Sequence, residues 1–257
     1  MTRTRRLTVQ AISVVLALLA WQFLVTVPFK DQPFATVPEI GSALVSLASD
    51  PDFWVAVWET VKVAFLGLAL STVVGVAVGV LIGQSEFAFR SSRFIIEFFK
   101  PLPPIVVLPL LILVLGPTPT MGVTLVFLGC VFVLATQTAV GVHDIDPVAM
   151  QTARSFRLTA WQRLRSLIVP TAFPFVATGV RICASGAIVI ALVSEIIGGA
   201  PGLGKELSNA RVAADYPSTY ALVVVFGILG VLVNSVISRV EHRVLFWHAS
   251  VRSELPA

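Results

Sequence analysis

Apolar runs at 7–27, 56–83, 102–115, 121–142, 171–197 and 220–237 dominate this chain, each bounded by polar or charged residues. In lipid, every backbone N–H and C=O must be satisfied inside the protein, and an α-helix of about 20 residues does this across the hydrocarbon layer. The pattern predicts an all-α membrane protein, one transmembrane domain over 1–257 with six spanning helices. Composition agrees: 56% of residues are hydrophobic and 12% charged, which excludes an ordinary soluble domain. The net charge of +4 is spread over several loops, so nucleic acid is not expected as a partner.

Arg3, Arg5 and Arg6 precede the first run. That run approaches spanning length and no small-x-small site follows it, so it reads as a first span rather than a cleaved signal, with its basic end in the cytoplasm. Residues 28–55 leave the membrane, and Pro38, Ile40, Ala43, Leu44 and Leu47 suggest a short amphipathic helix. In the second span Gly75, Gly79 and Gly83 recur every four residues, a packing seam for another helix. Residues 84–100 turn polar, with Glu86/Arg90 and Arg93/Glu97 spaced to pair on a short cytoplasmic helix. The third span is short and carries Pro101, Pro103, Pro104 and Pro109 at its start and within it, so it should be kinked and buried in the bundle. Near the inner end of the fourth span, Gln137 and Thr138 either bond across helices or face water.

Residues 146–170 are the one long polar, arginine-bearing segment between apolar runs. Ala149, Ala153, Phe156, Ala160, Leu164 and Leu167 form one apolar stripe at helical spacing, while Arg154, Arg157, Arg163 and Arg165 occupy the remaining surface. Asp146-Pro147 is a helix start, and Pro170 interrupts the helix where the next apolar run begins. Such a segment suits either an anionic lipid surface or a groove in a soluble partner.

The segment resembles the cytoplasmic loop of the permease subunits of bacterial ATP-binding-cassette importers: Glu-Ala-Ala, three residues, Gly, nine residues, Ile-x-Leu-Pro. Here the corresponding residues are Gln151-Thr152-Ala153, Arg157 and Leu167-Ile168-Val169-Pro170, in the same spacing. Gln151 replaces the usual Glu and Arg157 the usual Gly; a bulky cation there is expected to keep the segment helical and change the bend between its two short helices. Val37-Pro38, Thr60 with Gly67, Pro104 with Pro109-Leu110, Gly116, Gly141, Thr178-Gly179-x-Arg181-Ile182, Glu195 and Gly202-Leu203-Gly204 follow the order of the nitrate, sulfonate and taurine branch.

The resemblance implies an inner-membrane, multi-pass importer subunit with a coupling helix between the fourth and fifth spans. Its implied partners are membrane lipid, two cytoplasmic ATPase subunits, an external solute-binding protein and a second permease copy as a homodimer. This chain is then not an enzyme and binds no cofactor itself; ATP and Mg belong to the partner ATPase. Gln151, Thr152, Ala153, Arg154, Arg157, Arg163 and Pro170 are the expected ATPase-coupling residues. Arg181, Glu195, Gly202 and Gly204 are the expected pathway or gate residues.

Arg181 lies about ten residues into the fifth span, roughly 15 Å along it. There it must meet a partner acid, backbone carbonyls or an aqueous anion route. Glu195 closes the same helix, at an outer gate or against a neighbouring base. Gly199, Gly204 and Lys205 nearly match a phosphate-binding loop, but Glu206 replaces the magnesium-binding hydroxyl and no strand precedes it, so no nucleotide site is expected. By resemblance, 198–216 is instead a re-entrant segment near the gate. Cys130 and Cys183 read as buried small hydrophobes, and His143, His242 and His248 as solvated histidines without metal spacing.

Six spans with both ends inside place Arg3, Arg5, Arg6, Arg90, Arg93, Arg154, Arg157, Arg163, Arg165, Arg239, Arg243 and Arg252 in the cytoplasm, against Lys30, Lys205 and Arg211 outside. That asymmetry satisfies the positive-inside rule. The function expected is the translocation pathway for a small anionic solute delivered by an external binding protein. Two rivals are a secondary carrier or channel not coupled to an ATPase, and a membrane enzyme. The carrier would bring internal repeats that are not evident. The enzyme would bring an intramembrane acid pair or a His-Glu-x-x-His helix, and neither is present.

Overall fold

The computed structural model describes residues 3–30 and 32–244, with the side chains of 3–7, 93, 242 and 244 left out of that description. Arg252 and His248 therefore lie outside the described residues, as do the side chains of Arg3, Arg5, Arg6, Arg93 and His242. In chain order the helices are α1 (Arg3–Thr26), α2 (Val37–Ser49), α3 (Pro51–Gly83), α4 (Glu86–Phe99), α5 (Leu108–Leu115), α6 (Pro119–His143), α7 (Pro147–Ser155), α8 (Ala160–Arg163), α9 (Val169–Ile196), α10 (Leu203–Val212) and α11 (Tyr216–Val244). No strand occurs among the described residues. Five helical stretches, ending in α1, α3, α6, α9 and α11, are long and apolar enough to cross a membrane.

The centre is the contact of α3 with α6. Gly67, Gly75, Gly79 and Gly83 of α3 are buried against α6. A Cβ built on them would lie 2.5 Å from Val126 Cβ, 2.8 Å from Leu134 Cβ, 2.5 Å from Thr138 Cβ and 2.6 Å from Val142 Cβ respectively. Ser71, in the same register, donates its hydroxyl to the carbonyls of Gly67 at 2.7 Å and Phe127 at 3.2 Å. Lipid tails give helices no hydrophobic reason to associate, so backbone approach at small residues supplies the packing. The seam expected at Gly75, Gly79 and Gly83 is therefore present and extends outward to Gly67.

Successive contacts advance together along both helices, from Gly67 with Val126 to Gly83 with Val142, so α3 and α6 run parallel. The chain between them must return along the whole bundle. It does so as a broken helix: Phe89 of α4 stacks on His143 at 4.3 Å, Phe99 on Phe132 at 5.6 Å, and Leu108 of α5 packs with Met121 and Leu125. The short helix expected within 84–100 is present as α4, but it packs along α6, and the span expected at 102–115 is not one continuous helix. The regular helix α5 is only eight residues, about 12 Å, and α4 supplies the other half of the return. Charged residues of α4 depressed its apolar signal, while Pro101, Pro103 and Pro104 deny backbone donors and leave only a short 3-10 turn, Pro104–Val106, between the pieces. The kink is thus a full break. Burial of this segment was overestimated, because Leu110, Leu113 and Val114 are exposed.

Helix α9 packs antiparallel to α6. The Sγ atoms of Cys130 and Cys183 approach each other's backbone carbonyls at 3.7 and 3.6 Å, and both thiols are buried and free. Thr138 is buried with its hydroxyl turned to the Leu134 carbonyl of its own helix at 2.8 Å. Helix α1 makes little contact except at its end. There Trp21 donates to the Ala35 carbonyl at 3.1 Å and meets Tyr220 of α11 at 5.6 Å, and Gln22 accepts from Val37 N at 2.9 Å. Helices α7 and α8 close the end of the bundle that carries Gly83 and His143, hereafter the basic end.

Gly79→Val should lower the thermal stability of the purified chain by about 1–3 kcal/mol or more, because its new atoms meet the Ala135 carbonyl and Thr138. Gly230→Ala, with open space around it, should stay within about 0.5 kcal/mol. Equal melting temperatures for the two variants would refute the seam.

Candidate functional site

Two places stand out, at opposite ends of α9, about 42 Å apart along its 28 residues. At the basic end, Asp146 Oδ1 accepts from Val148 N at 2.8 Å and Pro147 opens α7. Helix α7 closes with Leu158 N bonded to the Ala153 carbonyl at 3.1 Å and Arg157 N to the Arg154 carbonyl at 2.9 Å. This pair of bonds is the Schellman closure, and it puts Arg157 at φ +53°, the left-handed region. The expectation that Arg157 would keep the segment helical is thus overturned. The residue adopts the turn that glycine favours, at about 1–2 kcal/mol of backbone strain. Thr159 and Gln162 then cap α8 reciprocally, through Thr159 N to Gln162 Oε1 at 2.8 Å and Gln162 N to Thr159 Oγ1 at 3.3 Å.

The segment is therefore helix, turn, helix, and the single apolar stripe is split by the turn. Ala153 is buried and Leu164 and Leu167 are half-buried, but Phe156 is 77% exposed. Val148 and Trp161 are also exposed, giving this segment two outward aromatic rings, Phe156 and Trp161. Gln151, Thr152, Arg157 and Arg165 lie on exposed positions. Arg154, also on an exposed position, and the half-buried Arg163 line a cavity of about 280 Å³ between the segment and the ends of α3 and α6. Pro170 does not interrupt the helix: a π turn, Leu164–Ile168, absorbs it, and the helical course continues into α9.

At the opposite end the structure brings Glu195, Gly202 and Gly204 together. Glu195 is fully buried; its Oε2 accepts from Thr60 Oγ1 at 2.9 Å and from Gly204 N at 2.8 Å. Thr60 Oγ1 in turn accepts from Leu203 N at 2.9 Å. Gly202, which precedes α10, has no side chain to cap the helix, so Glu195 of α9 and Thr60 of α3 cap its first turn from outside. Gly202 sits at φ +148°, and a Cβ there would lie 2.3 Å from Glu195 Cδ. Among the described residues Glu195 meets no base, contrary to one expectation; it pins the return segment to the bundle. The Leu203 and Gly204 N–H groups are thus both engaged, by Thr60 and Glu195.

Arg181 finds the partner acid that its depth demands: its Nη1 lies 2.9 Å from Glu241 Oε2, tying α9 to α11. Half of the Arg181 side chain nevertheless remains exposed. Sequence reasoning missed a second intramembrane pair on α3, Lys62 Nζ to Glu59 Oε1 at 2.6 Å, beside Thr60. Opposite charges three residues apart within an apolar run were the available signal. Among the described residues no group of three or more metal-binding side chains occurs. His143 is stacked on Phe89 with Nε2 3.4 Å from Glu86.

An all-helical bundle with five helices long and apolar enough to cross a membrane, a basic helix-turn-helix at one end and a pinned return segment at the other has the architecture of a multi-pass membrane protein. The chain belongs to the binding-protein-dependent transport system inner membrane component family, whose model matches residues 71–246. It is 24% identical over 255 residues to the taurine transport system permease protein of Escherichia coli (strain K12), covering 97% of this chain and 93% of that one. It is 26% identical over 190 residues to a permease protein of Bacillus subtilis (strain 168) named for aliphatic sulfonates transport, covering 73% and 68%. Its fold resembles a chain of a bacterial ABC transporter that imports the acidic polysaccharide alginate, with TM-score 0.66 at 13% identity over 91% of this chain and 95% of that one.

Two predictions follow the two ends. Arg157→Gly should raise stability by about 1 kcal/mol, since the exposed side chain is traded for relief of a left-handed backbone; a lower melting temperature would show that the side chain contributes binding instead. Glu195→Ala and Thr60→Val should each cost about 1–3 kcal/mol by stranding buried N–H groups, and the double variant should cost less than their sum. Strict additivity would refute the shared cap.

Proposed function

We propose that this chain is the membrane-pathway subunit of an ATP-driven importer for a small anionic solute, paired with a second copy and driven by two ATPase subunits docked on α7 and α8. The observation that carries this reading is the basic-end segment: two exposed aromatic rings, Phe156 and Trp161, on a capped, rigid turn between helices. Aromatic anchors on a preorganised element are the residues through which soluble partners bind most strongly. Gln151, Thr152 and Arg157 extend that outward surface, while Ala153 is buried beneath it, Arg154 and Arg163 line the cavity behind it, and Pro170 lies in the first turn of α9. The basic end is then cytoplasmic and both termini lie there, as the positive-inside rule requires. In this reading α4 and α5 together make the sixth crossing.

An external binding protein would deliver the solute at the end where α10 lies. The names of the taurine and sulfonate relatives support an anionic solute. On this reading Glu195, Gly202 and Gly204 hold the outer return segment closed. Lys62, paired and partly exposed within α3, adds a cation to the spanning region where Arg181 is already committed to Glu241.

Phe156→Ala combined with Trp161→Ala should weaken association with the cognate ATPase at least tenfold and abolish the stimulation of ATP hydrolysis by the loaded binding protein, without lowering the melting temperature of the permease. Unchanged association by co-purification would refute docking through this surface.

A further inference from the structure

We propose that the cavity behind α7 and α8 is a binding site for a phosphate-bearing anion. Arg154 and Arg163 both line it, and neither has an acid partner among the described residues. Two guanidinium groups sharing one recess repel each other unless an anion lies between them, and their planar donor forks match phosphate oxygens. The lining has one carboxylate, Glu86, and it is already engaged by Arg90 at 2.5 Å and faced by His143 Nε2 at 3.4 Å. The remaining balance is basic.

The position narrows the ligand. The cavity opens where α3 ends at Gly83 and α6 at His143, the depth at which these helices leave the apolar layer. Ile145 and Ile168 add apolar wall beside the arginines. Its volume of about 280 Å³ is room on the order of nine waters, enough for a phosphate with part of a glycerol body. The shared chemistry is a phosphate ester, either an anionic lipid headgroup or a free phosphate from the aqueous side. Bound there, it would brace the segment against the bundle irrespective of what covers Phe156 and Trp161 on the outer surface.

The test uses the full chain, purified in a neutral detergent and stripped of lipid. It is titrated with dioctanoyl phosphatidylglycerol, with inorganic phosphate and with dioctanoylglycerol, which lacks the phosphate. Native mass spectrometry and the melting temperature report binding. The expected result is saturable binding of at least one phosphate-bearing probe, none of dioctanoylglycerol, and at least tenfold weaker binding by Arg154→Gln/Arg163→Gln. Arg239→Gln, an exposed basic residue outside the cavity, should bind as the parent does. Tighter binding of phosphatidylglycerol than of phosphate assigns the headgroup; the reverse assigns a free anion. Should the double variant fail to fold, Arg154→Gln alone, at an exposed position, should still weaken binding at least threefold. No saturable binding by the parent chain, or binding indifferent to these arginines, overturns the proposal.

Discussion

Everything in this bundle depends on the backbone contact between α3 and α6. Because glycine at four positions lets the two helices touch without intervening side chains, they are held parallel and in one register. Two parallel helices cannot be joined by a tight turn, so the chain between them must retrace the bundle. The broken course through α4 and α5 is the result, with α4 held along α6 by stacked rings, Phe89 on His143 and Phe99 on Phe132. Its proline-rich break frees backbone carbonyls, a cost that only a protein-packed or water-lined position tolerates.

The same core positions the two ends differently. At the return segment the polar groups are internal: a buried carboxyl and a buried hydroxyl from two separate helices satisfy the first N–H groups of α10. Such a cap is indifferent to salt and solvent, and it fixes α10 only while α3 and α9 keep their spacing. At the basic end the polar groups face outward and the local structure is self-sufficient, with each short helix capped by its own residues. One end is held by the bundle; the other holds its own shape and is offered to whatever lies beyond it.

Much of this was readable in the residues, for reasons that separate cleanly. The spans at α1, α3, α6, α9 and α11 show because uninterrupted apolar length is a strong signal, and the seam shows because glycine every four residues has few other uses. Glu195, Gly202 and Gly204 could be named as a set, but their contact is tertiary and no spacing rule announces that a carboxyl nine residues upstream caps a helix. Arg157 misled because left-handed conformation is rare for a long side chain; the bonds that impose it come from α7 ending on time. The packing of α4 along α6 was hidden by Glu86, Arg90, Glu97 and Lys100, whose charges read as a short helix outside the bundle although Phe89 and Phe99 stack on α6. Glu59 and Lys62 were passed over because each, alone, barely lowers the hydropathy of α3.

The continuity of α8, the π turn and α9 has a mechanical consequence. From Ala160 to Ile196 the chain is one helical course, with Arg163 near one end and Glu195 near the other. A helix resists compression along its axis far better than bending, so this course is stiff end to end and weak against bending at the points where its backbone ladder is interrupted. Those points are identifiable: the π turn at Leu164–Ile168 and Pro174 inside α9, each lacking the regular backbone bond. Both lie in the half nearer the basic end. Bending would therefore concentrate in that half, leaving the part of α9 that carries Arg181, Cys183 and Glu195 as the stiffer stretch packed on α6.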